Sequence, residues 1–281
     1  MIIDAHQHFW DLRLFRQDWL KAPAHRPIRR SFLPRHLAPL LRRAAVDRTI
    51  FVQTKHDLAE TRWALEQTAK HPWIAGIVGW VDLASPRCEA QLEEFLDHPR
   101  FVGVRHVVQD EPDDRFILRP SVQRGLAVLE KRGVPYDLLF YVRHLPHAAD
   151  VARRRPGLTL VLDHLSKPRV KEGRVLGWID ELRDAARRPN VVAKLSGLVT
   201  EADWRGWSAS DLRPYVQAAI ELFGPDRLMF GSDWPVCLLA ARYGEWLDVL
   251  RELISPLSTS EQAKILGGTA ARVYRLKGSR R

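Results

Sequence analysis

Three short segments of this 281-residue chain carry side chains able to bind a cation or move a proton. The first is His6-Gln7-His8. Residues two apart on a strand share a face, so a strand ending here aims both imidazoles the same way. Two neutral imidazoles could bind a divalent cation or hydrogen-bond a substrate oxygen. Strand histidines can equally do no more than satisfy polar groups in a core. The second segment is Leu162-Asp163-His164-Leu165, where an apolar run delivers a carboxylate and an imidazole to one point; the plainer reading is that Asp163 braces a loop with His164 as its partner. The third is Gly231-Ser232-Asp233-Trp234-Pro235. Asp233 could bind a metal and accept a proton from water, or belong to ordinary turn chemistry. Core packing explains any one of these segments, but not all three converging.

Convergence needs elements that bring three distant segments to one face. Eight apolar runs rich in Val, Ile, Leu and Phe recur along the chain: Met1–Ala5, Arg48–Thr54, Ile74–Leu83, Phe101–Val108, Val134–Tyr141, Leu158–Leu165, Val191–Leu195 and Leu228–Phe230. Continuous apolar runs mark strands buried on both faces, the pattern of a parallel sheet. Amphipathic stretches lie between them. Pro120 to Arg132 ends at Gly133, Asp211 to Phe223 follows Ser210 and stops at Gly224-Pro225, and Ser258-Thr-Ser-Glu261 spells a capping box before a helix from Glu261 to Tyr274. Strands alternating with helices imply right-handed crossovers. Eight repeats at this length predict an α/β fold, a single-domain (β/α)8 TIM barrel over residues 1–281. An open doubly wound sheet is the alternative, but no Gly-x-Gly-x-x-Gly follows the first strand. Residues 11–47 form a long segment after that strand, placed to act as a lid over the site.

Composition narrows the class. Net charge is +10, from 44 basic and 34 acidic residues, but the basic residues are scattered and lack the interleaved aromatics of a nucleic-acid platform. No nucleic-acid partner is expected. No stretch is long and apolar enough for a membrane span, no leader pattern opens the chain, and two cysteines, Cys88 and Cys237, suit a reducing cytoplasm.

The quoted segments, with Phe51-Val-Gln53, Gly79-Trp80-Val-Asp82, Gly103-Val-Arg105-His106 and Ala193-Lys194-Leu-Ser-Gly197, resemble the amidohydrolase superfamily over Met1 to about Tyr274. Within it they are most similar to the branch of sugar-lactone and related lactone hydrolases, including L-fucono- and L-rhamnono-lactonases and muconolactone-type hydrolases. The resemblance implies a hydrolase with Asp233, His164, His6 and His8 as catalytic residues. The same four would hold at most one divalent ion, zinc being the expected one, and a metal-free mechanism stays open. Two-metal members carry a bridging lysine or glutamate late in the fourth strand and a histidine ending the fifth. Here those strands end in Arg105-His106 and Phe140-Tyr141, with His144 just beyond.

The remaining candidates are positional. Arg105 and Lys194 could hold a substrate hydroxyl or carboxylate, or form a salt bridge inside the barrel. His106 is opposite in phase to Arg105, so a regular strand cannot aim both into the lumen. Gln53, Trp80 and Trp234 are candidate pocket walls. Trp178, Trp207 and Trp246 read as packing, and His25, His36, His71, His98 and His147 as bystanders. The expected reaction is opening of an aldonolactone to its sugar acid by a monomer or homodimer. The alternatives are an anionic muconolactone or pyrone hydrolase and a nonoxidative decarboxylase.

Overall fold

Alternating apolar runs and amphipathic stretches close into the expected barrel. The computed structural model describes residues 1–276. Its strands are β1 (Ile3–Gln7), β2 (Arg48–Val52), β3 (Ile74–Gly79), β4 (Phe101–His106), β5 (Tyr136–Leu138), β6 (Leu160–Leu162), β7 (Val191–Leu195) and β8 (Leu228–Phe230). They are hydrogen-bonded in chain order and every adjacent pair is parallel. Helices such as Leu58–Lys70, Pro120–Arg132 and Ala209–Phe223 lie between successive strands. No helix among the described residues is long and apolar enough to cross a membrane.

Apolar side chains segregate into two layers, which explains why the strands read as unbroken runs. One layer fills the lumen, with Ile3, Ala5, Ile50, Val52, Val78, Val161, Val192 and Met229, and is closed from below by Ala270, Val273 and Tyr274. The other joins the outer strand faces to the helices, through residues such as Phe51, Val104, Leu138, Leu162 and Phe230.

Several boundaries differ from expectation. β5 and β6 are only Tyr136–Leu138 and Leu160–Leu162, because the residues beyond them leave the ladder to build the rim. The helix ending at Phe223 starts at Ala209 with Ser208 and Asp211 forming its capping box, so its cap lies two residues earlier than Ser210. The capping box at Ser258 is present, but the following helix is interrupted by a π-turn over Lys264–Gly268. There Gly267 lies so close to the chain start that a β-carbon would sit 2.5 Å from the Met1 carbonyl oxygen. The segment 11–47 also divides. Pro34–Ala44 is the ordinary outer helix, and only the part before it rides over the barrel mouth. That part is tied at its base by paired backbone hydrogen bonds between Trp10 and Phe32 and buries Leu20 and Ile28. It is a packed wall of the cavity.

Candidate active site

β1 would not present its histidines to the lumen if it were regular. Ile3 and Ala5 face the lumen, so simple alternation would turn His6 and His8 outward. The pairing with β2 instead slips between Asp4 and Gln7, where three steps along β1 match two along its neighbour. This bulge inserts one residue and reverses the phase. His6 and His8 then face inward.

The next neighbours in space come from the far end of the chain. The Asp233 N–H donates to the His6 carbonyl at 2.8 Å and the His8 N–H to the Trp234 carbonyl at 2.7 Å, closing the barrel between β8 and β1. Asp4 anchors the same seam, accepting from the Ser232 N–H at 2.8 Å, the Ser232 hydroxyl at 2.6 Å and the Tyr243 hydroxyl at 3.1 Å. Burial pushes the Asp4 carboxyl up to about 6 despite those donors. Gly231 is required here, since a β-carbon would lie 2.7 Å from that of His6.

His164 arrives by a different device. The four residues after Asp163, which directly follows β6, are left-handed, with φ of 55° at His164, 50° at Leu165, 58° at Ser166 and 54° at Lys167. Each such residue costs about 1–2 kcal/mol in an L-chain. Burial of Leu165 and Ser166 and a hydrogen bond from the Trp178 indole to the Leu165 carbonyl (2.9 Å) hold the turn. Trp246 does the same for the opposite loop, donating to the Gly231 carbonyl at 3.0 Å. These tryptophans are packing residues, as expected, and what they pack are the loops that carry His164 and Asp233.

The ring nitrogens decide what the cluster can do. His8 Nδ1 lies 2.7 Å from the Val52 carbonyl oxygen, which only accepts, so that nitrogen carries the proton. His6 Nδ1 faces Asp163 Oδ1 at 3.1 Å and His164 Nδ1 faces Ser196 Oγ at 2.8 Å. Burial pushes Asp163 up, but Lys194, His6 and Arg105 outweigh it and hold the carboxyl well below the usual range, so it too accepts. Burial also lowers His6 strongly and His164 to about 4, keeping both rings neutral near pH 7.

The Val52 carbonyl fixes a lone pair on His8 Nε2; protonation of Nδ1 toward Asp163 in His6 and toward the Ser196 hydroxyl in His164 gives the other two Nε2 atoms the same role, and the three gather around Asp233. His8 Nε2 is 3.2 Å from His6 Nε2 and 3.2 Å from Asp233 Oδ1. Asp233 Oδ1 is 3.8 Å from His6 Nε2 and 3.9 Å from His164 Nε2. For Asp233, too, burial raises the pKa, but the three histidines outweigh it and the group stays ionised. Acceptors facing acceptors at these distances suit a cation among them, beside the Arg105 guanidinium, whose Nη1 is 3.4 Å from His6 Nε2. A four-coordinate ion with ligands at about 2.0–2.2 Å holds its ligand atoms about 3.3–3.6 Å apart. The spacings among His6, His8 and Asp233 bracket that range, and His164 joins them through Asp233 at 3.9 Å. Fixing each ligand imidazole through its other nitrogen is also how metal-bound histidines are normally oriented. The residues fit one divalent cation.

A buried ion network lies beneath. Lys194 Nζ is 2.6 Å from Asp137 Oδ2, 3.0 Å from Asp163 Oδ1 and 3.2 Å from His6 Nδ1. Tyr274 donates to Asp137 from below, and Arg105 Nη1 donates to Asp163 Oδ2 at 3.1 Å. Asp163 is read in the sequence only as a partner of His164, and Asp137 falls in no motif. Their signal was a lone charge inside an otherwise apolar run.

Above the cluster is a cavity of about 380 Å³ with His8, His164, Asp233 and Arg105 in its lining. A family model for amidohydrolases matches residues 3–276. The chain belongs to the amidohydrolase family. It is 43% identical to an L-fucono-1,5-lactonase from Burkholderia multivorans, over 98% of this chain and 96% of that one. A second L-fucono-1,5-lactonase, from Burkholderia ambifaria, is 38% identical over 98% of this chain and 95% of its own length. Among solved structures, an amidohydrolase from Burkholderia multivorans with bound zinc superposes with a TM-score of 0.94 at 41% identity, covering 99% of this chain and 100% of that one.

In this amidohydrolase the other predicted residues take distinct places. Lys194 is fully buried in its salt bridges, the second of its two expected roles, and is not in the cavity lining. His106 faces outward as its phase requires, accepting from the Trp80 indole at 3.1 Å and donating to Glu111 at 2.7 Å. His56 Nε2 accepts from the Val107 N–H, and His56, His106 and Glu111 form a second group that lies outside the cavity lining. Trp80 and Gln53 are outside the cavity lining, and Gln53 braces Arg105 by donating to its carbonyl at 3.0 Å and accepting from its guanidinium. Trp234 is buried against Phe9 and Phe32, under the site and not in its wall. His144 bonds Asp114 and the Tyr141 N–H and stays clear of the centre. His25 corrects the bystander reading, because it lines the cavity beside Trp19. Tyr141, Lys167, Glu201 and Trp204 complete walls that no local sequence pattern marked.

Proposed function

We propose that this amidohydrolase opens the ring of a small sugar lactone by hydrolysis, releasing the sugar acid. The observation that carries the reading is the gathering of three imidazoles and one carboxylate at a cavity that His8, His164 and Asp233 line. It stands in a chain closely similar, end to end, to two L-fucono-1,5-lactonases. His6, His8 and Asp233, with His164 beside Asp233, would hold one zinc ion, the metal bound by the structural relative. When bound, that ion polarises the lactone carbonyl.

The chain's own residues do the rest. Asp233, ionised and facing the cavity, takes a proton from the attacking water as its oxygen bonds to the carbonyl carbon. Asp233 then passes that proton to the ring oxygen as the ester bond breaks, so the carboxylate is regenerated. A lactone's leaving oxygen needs less protonation help than an amide nitrogen, which suits a site with a single general base. The tautomers bear on the metal-free alternative: His8, whose Nδ1 proton is given to the Val52 carbonyl, has no Nε2 proton to donate to an oxyanion. An anionic pyrone or muconolactone fits less well. Arg105, the one arginine on the cavity wall among the described residues, is already bonded to Asp163 and the Gln53 carbonyl. Cys88 and Cys237, both buried and unpaired, suit a reducing cytoplasm.

A pH-indicator assay over a panel of aldonolactones, run with metal analysis, tests the reading. The wild type should acidify at least one lactone, and Asp233→Asn should lower kcat by about 10²–10⁴. Carbon dioxide release without ring opening, or an Asp233→Asn variant as active as wild type, would overturn it.

A further inference from the structure

The left-handed turn after β6 exposes two side chains to the cavity. His164 and Lys167 are one turn apart on it, and both line the wall while Leu165 and Ser166 between them are buried. His164 belongs to the cation cluster. Lys167 is left over. Its ammonium makes no hydrogen bond or ion pair among the described residues, and its neighbour is the Tyr141 ring, 5.4 Å away.

Glu201 is in the same condition on the same wall. Its carboxylate accepts no hydrogen bond and forms no ion pair among the described residues, although it is largely sheltered from solvent beside Trp204. Burial raises its pKa against the pull of Lys167. Gln109, also on the wall, has a buried side-chain oxygen with no partner. Two opposite charges near enough to influence each other, yet bonded to nothing, leave room for a group between them. A hydroxyl meets both requirements, since its proton donates to a carboxylate while its oxygen accepts from an ammonium. A carboxylate or phosphate would meet the negative charges of Glu201 and Asp233.

We propose that Lys167 and Glu201 form a hydroxyl-recognition subsite that makes the enzyme select polyhydroxylated lactones over unsubstituted ones. This deepens the lactonase reading and rests on it. Ring hydroxyls would lie between the two charges, with the indole of Trp204 packing against the carbon skeleton.

The test compares kcat/KM for a polyhydroxylated six-membered lactone with that for δ-valerolactone, the same ring without hydroxyls. Wild type should favour the hydroxylated ring strongly. In Glu201→Gln, which is nearly isosteric, and separately in Lys167→Gln, that preference should fall at least tenfold, through KM more than kcat. A wild type that opens no lactone at all overturns the lactonase reading and this subsite with it. A wild type that opens both rings equally well, or two variants that are folded by circular dichroism and keep the full preference, overturns the subsite alone.

Discussion

The backbone N–H of Asp233 donates to the carbonyl oxygen of His6 at 2.8 Å. The bond closes the barrel between its last and first strands, and it joins the carboxylate and one imidazole of the cation cluster. Closure of the fold and assembly of the site are thus one event, so occupancy of the site should be felt by the whole barrel.

Metal removal is the direct consequence. A cation bound at a hundred times its Kd adds about 2.7 kcal/mol to folding stability. Chelation should therefore lower the melting temperature by several degrees and abolish ring opening, and added zinc should restore both. In His8→Ala one converging lone pair is gone, so bound zinc should fall well below about one ion per chain. Calorimetry with elemental analysis checks this; unchanged melting under a strong chelator would refute it.

Lys194 should matter for stability more than for substrate contact. Its removal leaves Asp137 and Asp163 buried beside each other with less compensation, a change that costs about 3–5 kcal/mol in comparable sites. Lys194→Met should lose that much in urea unfolding, and adding Asp137→Asn should recover part of it. A loss of under about 1 kcal/mol for the single variant would contradict the buried-pair account.

Glu60 gives a pH dependence with a defined sign. It is fully buried, accepts from the Thr54 and Lys55 N–H groups, and burial pushes it up to about 7 from an ordinary 4.5. A raised carboxyl stabilises the fold fully below its unfolded pKa and loses that contribution as pH rises through the folded one. Relative to Glu60→Gln, the wild type should lose about 3 kcal/mol between roughly pH 4.5 and 7 and then level off. Denaturant titrations of both proteins across that window measure the difference; a flat difference curve would rule it out.

Trp19 tests the wall over the barrel mouth. Its indole donates to Gln17, which in turn donates to Thr54, the residue Glu60 holds. Truncation to Ala removes one side of the cavity without touching the cation cluster. KM should rise about tenfold with kcat changed less than about threefold, as expected for a contact made equally in ground and transition states. A selective fall in kcat would instead mean that this wall positions the reacting atoms.

Much of this was legible in the residues. Eight apolar runs and their intervening amphipathic stretches were enough for the barrel, because a strand buried on both faces and a half-buried helix leave different periodicities. His6, His8, His164 and Asp233 stood out because polar, titratable residues at the ends of such runs have few structural uses. The opposite phases of Arg105 and His106 followed from strand geometry alone. What the residues could not show depends on long-range contact. A bulge between Asp4 and Gln7, visible only in the register with β2, turns the two histidines inward. Burial and a tryptophan hydrogen bond stabilise a left-handed turn that no local propensity would select at His164. The partner of each Nδ1 lies 32 to 157 residues away, and that partner decides whether Nε2 offers a proton or a lone pair. Sequence determined which side chains reach the barrel mouth. The fold decided that they arrive together, in an arrangement that fits a cation.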